Sequence, residues 1–304
     1  MKEELKSIYF SIIRFSKTLV SLLSVILFNK CGIDGQIKKL LLNVKEKPVS
    51  ILAGGPSMKD VLTNRLELLT NNDLIVMNYF GNTDYFWELK PTYYIMLDPV
   101  LFDNNYRNPG LNEEKDASVS HPIELLINNF RKVEWEMILF LPYIRKGKNI
   151  YKRFSNNPNI KIVTFHSTRI VGFDWFQNWM YGHNQGMPSS RNVIIPAIML
   201  MANIGYKQIY MYGCEFSWTK TMDVDPDNGM MFFNDRHFYS KSEIRYFGKG
   251  GYRWWLMTIS DSLYATEQIA KYAIASGVKI VNRTKGSFID AFDYENPDTI
   301  EKDF

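Results

Sequence analysis

The chain has 304 residues, 46% hydrophobic and 15% aromatic, with a formal net charge of +4. That length and apolar content support one large core or two modest ones and exclude a disordered or low-complexity chain. The charge is too small to argue for nucleic acid. Two distant cysteines, Cys31 and Cys214, exclude a disulfide scaffold and a cysteine-based zinc site and point to a reducing compartment.

Residues Ile8 to Phe28 are strongly apolar but interrupted by Arg14 and Lys17, and the unbroken run from Thr18 to Phe28 is too short to cross a bilayer. With Lys2, Lys6 and Lys30 added, the pattern suits an amphipathic helix among the headgroups of an anionic leaflet, without a full transmembrane span. Packing on the domain or on another subunit is a second reading. A signal peptide is a third, although no small-residue cleavage site precedes Asn29-Lys30-Cys31. Gln36 to Lys47 reads as a polar helix or linker closed by Pro48. Residues 1–47 are therefore expected to be an N-terminal segment, and 48–304 a single catalytic domain.

The chain is organised around Val49 to Asp60: a short apolar strand, the turn Gly54-Gly55-Pro56-Ser57, and a polar stretch that opens a helix. Glycines allow positive φ and close backbone approach, and Ser57 can cap the helix. The free N–H groups of a helix start attract an anion, so the unit reads as a nucleotide cradle or as a plain turn. A second strand ends at Asn78 and a third at Asp98-Pro99. In an open α/β sheet these ends would bring Ser57, Asn78 and Asp98 to one crevice, whereas turn or cap chemistry explains Asn78 or Asp98 taken singly.

Leu101 to Ser120 reads as a surface loop beside that crevice, followed by strands over Glu134 to Leu141 and Ile160 to Phe165. Trp175 to Ser190, crowded with aromatics and glycines, reads as a substrate loop, with His183 a solvated histidine. Arg191 to Ile204 reads as an apolar helix, kinked by Pro196 unless that residue lies in the first turn, and ended by Gly205. Gln208 to Phe216 is a buried strand closing on Gly213 and Glu215, which completes a parallel βαβ unit. Ser217 to Tyr252 is long enough to be a lid, and its Asp223-Val-Asp-Pro-Asp run reads as a solvated turn rather than a calcium loop. A helix over Ser260 to Ser276 and a strand over Val278 to Asn282 follow. The expected fold is α/β: a Rossmann-like, mostly parallel sheet flanked by helices, with a mobile lid at about 217–252 and an N-terminal amphipathic helix.

The stretch Ile51 to Asp60, the strand ending at Asn78, Leu97-Asp98-Pro99, the segment Ile204 to Phe216 and the later His237 together resemble the family 42 bacterial sialyltransferases and their DUF115-type relatives. The resemblance spans roughly residues 49 to 290. It implies a glycosyltransferase-A-like variant of the fold, a CMP-activated sialic-acid-like or Kdo-like donor, inversion, and no cofactor or metal. It implies donor contacts from Gly54, Gly55, Ser57, Asn78, Ser189, Ser190 and Asn192, with His237 as general base; Pro56 in the same turn and the strand-end residues Asp98, Gly213 and Glu215 complete the expected donor site. The partners it implies are the nucleotide-sugar donor and a glycan or glycolipid acceptor in surface-glycan synthesis, with no nucleic acid. The expected location is cytoplasmic, with peripheral contact of residues 1–30 to the inner membrane face as one option, and a homo-oligomer is left open.

The chain departs from that pattern where Ala53 precedes Gly54, where Asp98 replaces an amide, and where Ser217 replaces a tyrosine; Tyr239 or Tyr246 from the lid are the candidate replacements. Of the four histidines, His121, His166, His183 and His237, the last lies in the lid, where a base can reach an acceptor hydroxyl; a lid histidine simply hydrogen-bonded to Asp235 or Glu243 is the other reading. A second reading, from the DUF115-type relatives, is an ATP- and Mg²⁺-dependent pyrophosphokinase with Asp98 and Glu215 as metal ligands. A third is a non-catalytic nucleotide- or glycan-binding module with aromatic surfaces over 175–181 and 218–255.

Overall fold

A computed structural model describes residues 2–40, 46–103, 106–112, 123–144, 151–154 and 156–300. Helix α1 (Lys2–Phe28) leads into α2 (Ile33–Lys38), after which the main sheet begins. Its strands are β1 (Val49–Leu52), β2 (Asp73–Met77), β3 (Tyr93–Ile95), β4 (Met137–Pro142) and β5 (Ile160–Phe165), then β6 (Gln208–Tyr212), β10 (Lys279–Asn282) and β11 (Asp293–Tyr294). Between them lie α3 (Met58–Asn64), α4 (Asp84–Leu89), α5 (Ile123–Phe130), α6 (Asp174–Gly182), α7 (Ile194–Ile204) and α8 (Gly251–Ser276). A second, antiparallel sheet holds β7 (Met222–Val224), β8 (Met231–Asp235) and β9 (Glu243–Tyr246).

The main sheet has eight strands in the order β11-β10-β6-β1-β2-β3-β4-β5, and every pairing is parallel. The chain runs outward from β1 to β5, then crosses back through α6 and α7 to place β6 on the other side of β1. The sheet is covered on both faces, so its strands are apolar at nearly every position rather than alternating. Val49 and Ile51 pack with α2 and α7 on one face, while Leu52, Leu74 and Val76 pack with α3 and α5 on the other. This is the expected Rossmann-like α/β fold.

Several boundaries differ from the sequence reading for local reasons. Trp175 to Ser190 is not all loop: Asp174–Gly182 is helical, because Phe176, Gln177, Met180 and Tyr181 recur at helical spacing and turn inward. The last long helix starts at Gly251, nine residues earlier than its apolar pattern, since Trp254 and Trp255 already pack in its first turns. Pro196 sits in the first turn of α7, where its missing N–H costs nothing, and Gly205 ends that helix at φ 116°.

The N-terminal stretch is one unbroken helix because Arg14 and Lys17 are good helix formers. Over Glu3–Phe28 it is long and apolar enough to cross a membrane, contrary to the expectation drawn from Thr18 to Phe28 alone. Ile33, Ile37 and Leu40, in the stretch after it, are buried in the core shared with β1.

Candidate functional site

Chain order reverses between β1 and β6, and in such sheets the crevice beyond the strand ends at that point receives ligands. Leu52 pairs with Tyr212 at the last rung, so Ala53-Gly54-Gly55 and Gly213-Cys214-Glu215 leave the sheet side by side. A cavity of about 750 Å³ lies there, lined by both turns and by side chains from the lid and from the start of α8.

The glycines of the first turn serve close approach, not positive φ as expected: neither Gly54 nor Gly55 is left-handed. A Cβ on Gly55 would lie 1.5 Å from Glu215 Oε2 and 2.6 Å from the Gly213 carbonyl oxygen. One on Gly54 would lie 3.1 Å from His237 Nδ1 and 3.2 Å from the Tyr239 ring. Across the crevice Gly213 is left-handed at φ 68°.

Ser57 does not cap α3 with its side chain, contrary to expectation, because its own backbone is already helical at φ −65°. Its N–H instead donates to Glu215 Oε1 at 2.6 Å, so a protein carboxyl group occupies the N–H expected to face an anion. Glu215 is 9% exposed, and its Oε2 is buried with no hydrogen-bond partner among the described residues. Trp255 Nε1, on the cavity wall, is likewise buried and unpaired among the described residues. An acceptor and a donor left unpaired around one cavity are costly unless a ligand or water meets them.

Of the residues singled out from sequence, Gly54, Gly55, Pro56, Asn78, Asp98, Ser190, Asn192, Gly213, Glu215 and His237 line this cavity. Ser57 and Ser189 do not: Ser57 contributes its N–H to Glu215, and Ser189 is buried behind the wall. Several of the cavity residues also hold their own loops. Asn78, at φ 48°, accepts the Leu97 N–H, Asp98 accepts the Val100 N–H at 3.2 Å, and Asn192 accepts the Ile194 N–H at the start of α7.

The lid is a folded three-stranded sheet. From β8 the segment Asp235 to Tyr239 reaches across to the glycine turn, where Phe238 N–H donates to the Gly54 carbonyl at 3.0 Å and its ring packs against Phe80. His237 Nδ1 lies 3.3 Å from the same carbonyl oxygen, Nε2 lies 3.5 Å from Asp235 Oδ1, and the ring stacks parallel to Tyr239. Asp235 also meets Arg245 Nε at 3.2 Å. Burial favours the neutral imidazole, but the Asp235 carboxylate and the Gly54 carbonyl outweigh it and raise the His237 pKa. For Asp235, burial favours the acid, yet His237, Arg245 and Trp218 overcome it and lower its pKa. Tyr239 is pushed up by burial and by the charges of Asp235 and Asp98, so it stays a neutral hydroxyl.

His183 and His166 lie outside this cavity. His183 lies against Trp179, its Nδ1 2.8 Å from that residue's carbonyl oxygen. His166 accepts the Lys30 N–H at Nε2 and contacts the Asn184 carbonyl through Nδ1, and burial lowers its pKa, so it is a neutral structural ring. His121 lies outside the described residues. Tyr239 lines the cavity, whereas Tyr246 donates its hydroxyl to Asp225 in the β7–β8 turn.

Sequence reasoning named Asp235, beside Glu243, as a hydrogen-bond partner of His237, but passed over Arg191 and Arg236 as cavity groups and treated Trp218, Trp254 and Trp255 only as an aromatic surface. All but Asp235 line the cavity, and Asp235 stands behind His237. The pair Asp235 and His237 has a sequence signal, two residues apart on an extended strand end and therefore on one side of it. Arg191 and the tryptophans have none, because loops distant in sequence bring them together.

Asp98 and Glu215 share the cavity, and among the described residues no group of three His, Cys, Asp or Glu side chains is arranged to hold a metal ion. No protein-family model matches the chain, and no curated protein matches it at a significant level.

Proposed function

We propose that the cavity carries out inverting, metal-independent transfer of a sialic-acid-like or Kdo-like sugar from a CMP donor to the hydroxyl of a surface glycan or glycolipid, with His237 as general base. The observation that carries this reading is the His237 and Asp235 pair, held by a folded lid against Gly54 at the mouth of a nucleotide-sized cavity at the sheet's switch point. In the transfer, the acceptor oxygen bonds to the anomeric carbon from the face opposite the phosphate, the carbon–oxygen bond to CMP breaks, and the hydroxyl proton passes to the imidazole.

Asp235 faces Nε2 and holds its proton, which leaves Nδ1 to take the new one. In the resting arrangement Nδ1 faces the Gly54 carbonyl, an acceptor, across a long 3.3 Å contact. An acceptor hydroxyl entering there donates to Nδ1 and replaces that contact with a better one. Tyr239, kept neutral, and Arg191 and Arg236 on the walls are the groups available to the departing phosphate. Because Glu215 occupies the Ser57 N–H, the glycine turn is suited to a hydroxyl or amine of the nucleoside rather than to its phosphate.

One observation favours a second reading: the unpaired Glu215 Oε2 shares the cavity with Asp98, and together they offer two carboxyl groups to a Mg²⁺–ATP complex, as in phosphotransfer. Calorimetric titration with CMP, UDP, GDP and ATP, each with and without Mg²⁺, separates the two. Binding of CMP without metal supports glycosyl transfer and leads to assays with CMP-linked keto sugars, in which His237→Ala is expected to lose about 10²–10⁴ in kcat. Binding of ATP only with Mg²⁺ supports phosphotransfer instead.

A further inference from the structure

Helix α1 is inverted relative to a helix of a soluble domain: it docks on the body mainly through hydroxyl and amide side chains, with Val25 the apolar contact among them, and leaves most of its apolar residues outside. Ser21, 1% exposed, exchanges hydrogen bonds with the backbone of Val171, and Thr18 Oγ1 accepts the Phe173 N–H. Gly172 lies so close that a Cβ there would sit 2.0 Å from Thr18 Oγ1. At the helix end Asn29 is held by Gln185 and Thr168, and the Lys30 N–H by His166.

At 3.6 residues per turn, Arg14 falls on the face of Thr18 and Ser21 and Lys6 and Lys17 on its flank, an arc that also carries Phe10, Val25 and Phe28, while the opposite face carries Leu5, Ile8, Ile12, Leu19, Leu23 and Ile26 and has no charged residue among them. Those six are between 44% and 68% exposed. Beside the middle of the helix, Phe173 stacks on Trp175, and Trp175 and Trp179 stand 69% and 54% exposed, one turn apart on α6.

We propose that α1 is an in-plane anchor that seats the protein on an anionic bilayer. Its apolar face enters the acyl region, Lys6, Arg14 and Lys17 lie at the phosphates, and Trp175 and Trp179 make a second interfacial contact. This is independent of the chemistry in the cavity. Length alone permits a span, but the docking does not. From Thr18 onward the helix is fastened along the side that bears Thr18 and Ser21, which leaves residues 2–17, about 24 Å of helix, against a hydrocarbon core of about 30 Å. A span would also immerse Arg14 and Lys17, whereas an in-plane helix leaves both at the headgroups, where basic side chains are attracted. The loop 166–169 that holds the end of α1 also receives the Ser190 hydroxyl from the cavity wall at Ser167, so anchor and cavity share one support.

The test uses the full chain with sealed phosphatidylcholine vesicles, with and without phosphatidylglycerol. The protein is expected to float with the anionic vesicles, and the triple variant Lys6→Gln, Arg14→Gln, Lys17→Gln to bind them on the order of a hundredfold more weakly with an unchanged circular dichroism spectrum. Native Cys31 is exposed and Cys214 buried, so a membrane-impermeant maleimide added outside reports on the helix end. In a Lys6→Cys variant both position 6 and Cys31 are expected to label from that side. Protection of position 6 while Cys31 labels means a spanning helix and overturns the proposal. Failure to float, with cross-linking of two chains through α1, means a protein interface and overturns it equally.

Discussion

At His237 two opposing effects meet, and the pH response follows from which one wins. Its pKa lies above the ordinary 6.5, so its pairing with Asp235 stabilises the fold fully below that value and the contribution is lost as pH rises through the raised value. Asp235 lies below the ordinary 3.8, so its contribution is present above that value and lost as pH falls through the lowered one. The melting-temperature difference between wild type and Asp235→Asn is therefore expected to be largest at about pH 5 and to shrink in alkali to the part that the Arg245 pairing supplies. A base must be neutral to act, so the acid limb of the transferase pH profile should lie above the ordinary histidine value and move to lower pH in Asp235→Asn. A profile that does not move would sink the assignment of this pair.

Glu215 gives a second residue-level outcome. Glu215→Gln can still accept the Ser57 N–H, but it presents an amide N–H where the unpaired Oε2 stood. CMP affinity should fall about tenfold or more, the worth of a hydrogen bond to a charged group, with the melting temperature unchanged or raised. Equal affinity by calorimetry would show that nothing in the ligand meets this oxygen.

The glycine turn and the lid meet through atoms that leave no room for a side chain, and the two glycines are expected to behave differently. In Gly54→Ala the atoms nearest the new methyl are the ends of lid side chains, His237 and Tyr239, which must shift by a few tenths of an ångström while the sheet stays intact. Turnover should drop by at least tenfold and global stability change by less than about 1 kcal/mol. In Gly55→Ala the methyl also meets the Gly213 carbonyl oxygen, a backbone atom at the crossing of β1 and β6, and stability itself should fall. Denaturant midpoints and kcat on the two variants decide the matter, and similar stabilities would contradict the geometry. That distinction was invisible in sequence, where Gly54-Gly55 reads as one permissive turn. Equally invisible was the partner of the Ser57 N–H, since Glu215 lies 158 positions later.

Across the whole molecule, the short helix α2 belongs energetically to the sheet. Ile37 is fully buried in the core cluster that contains Val49 and Ile51, so Ile37→Ala should cost about 2–5 kcal/mol in urea unfolding, with one cooperative transition. A separate early transition, or no loss, would mean that the segment before Pro48 folds independently.

Sequence alone determined the class of fold. Near-continuous apolar runs such as Ile51 to Ala53 and Leu74 to Met77 are satisfied in strands buried on both faces, and the turns and helices between them favour parallel crossovers. It also marked the strand ends at Asn78, Asp98 and Glu215 and the lid histidine, because polar residues that close apolar strands stand out locally. Only the tertiary structure decided which of those groups are free to act. It brought Glu215 onto the Ser57 N–H, carried Arg191 and Trp255 to the cavity wall, and turned the side of α1 that bears Thr18 and Ser21 toward the body. Those are contacts between residues tens to more than a hundred positions apart, and periodicity, which reads only neighbours along one element, carries no information about them.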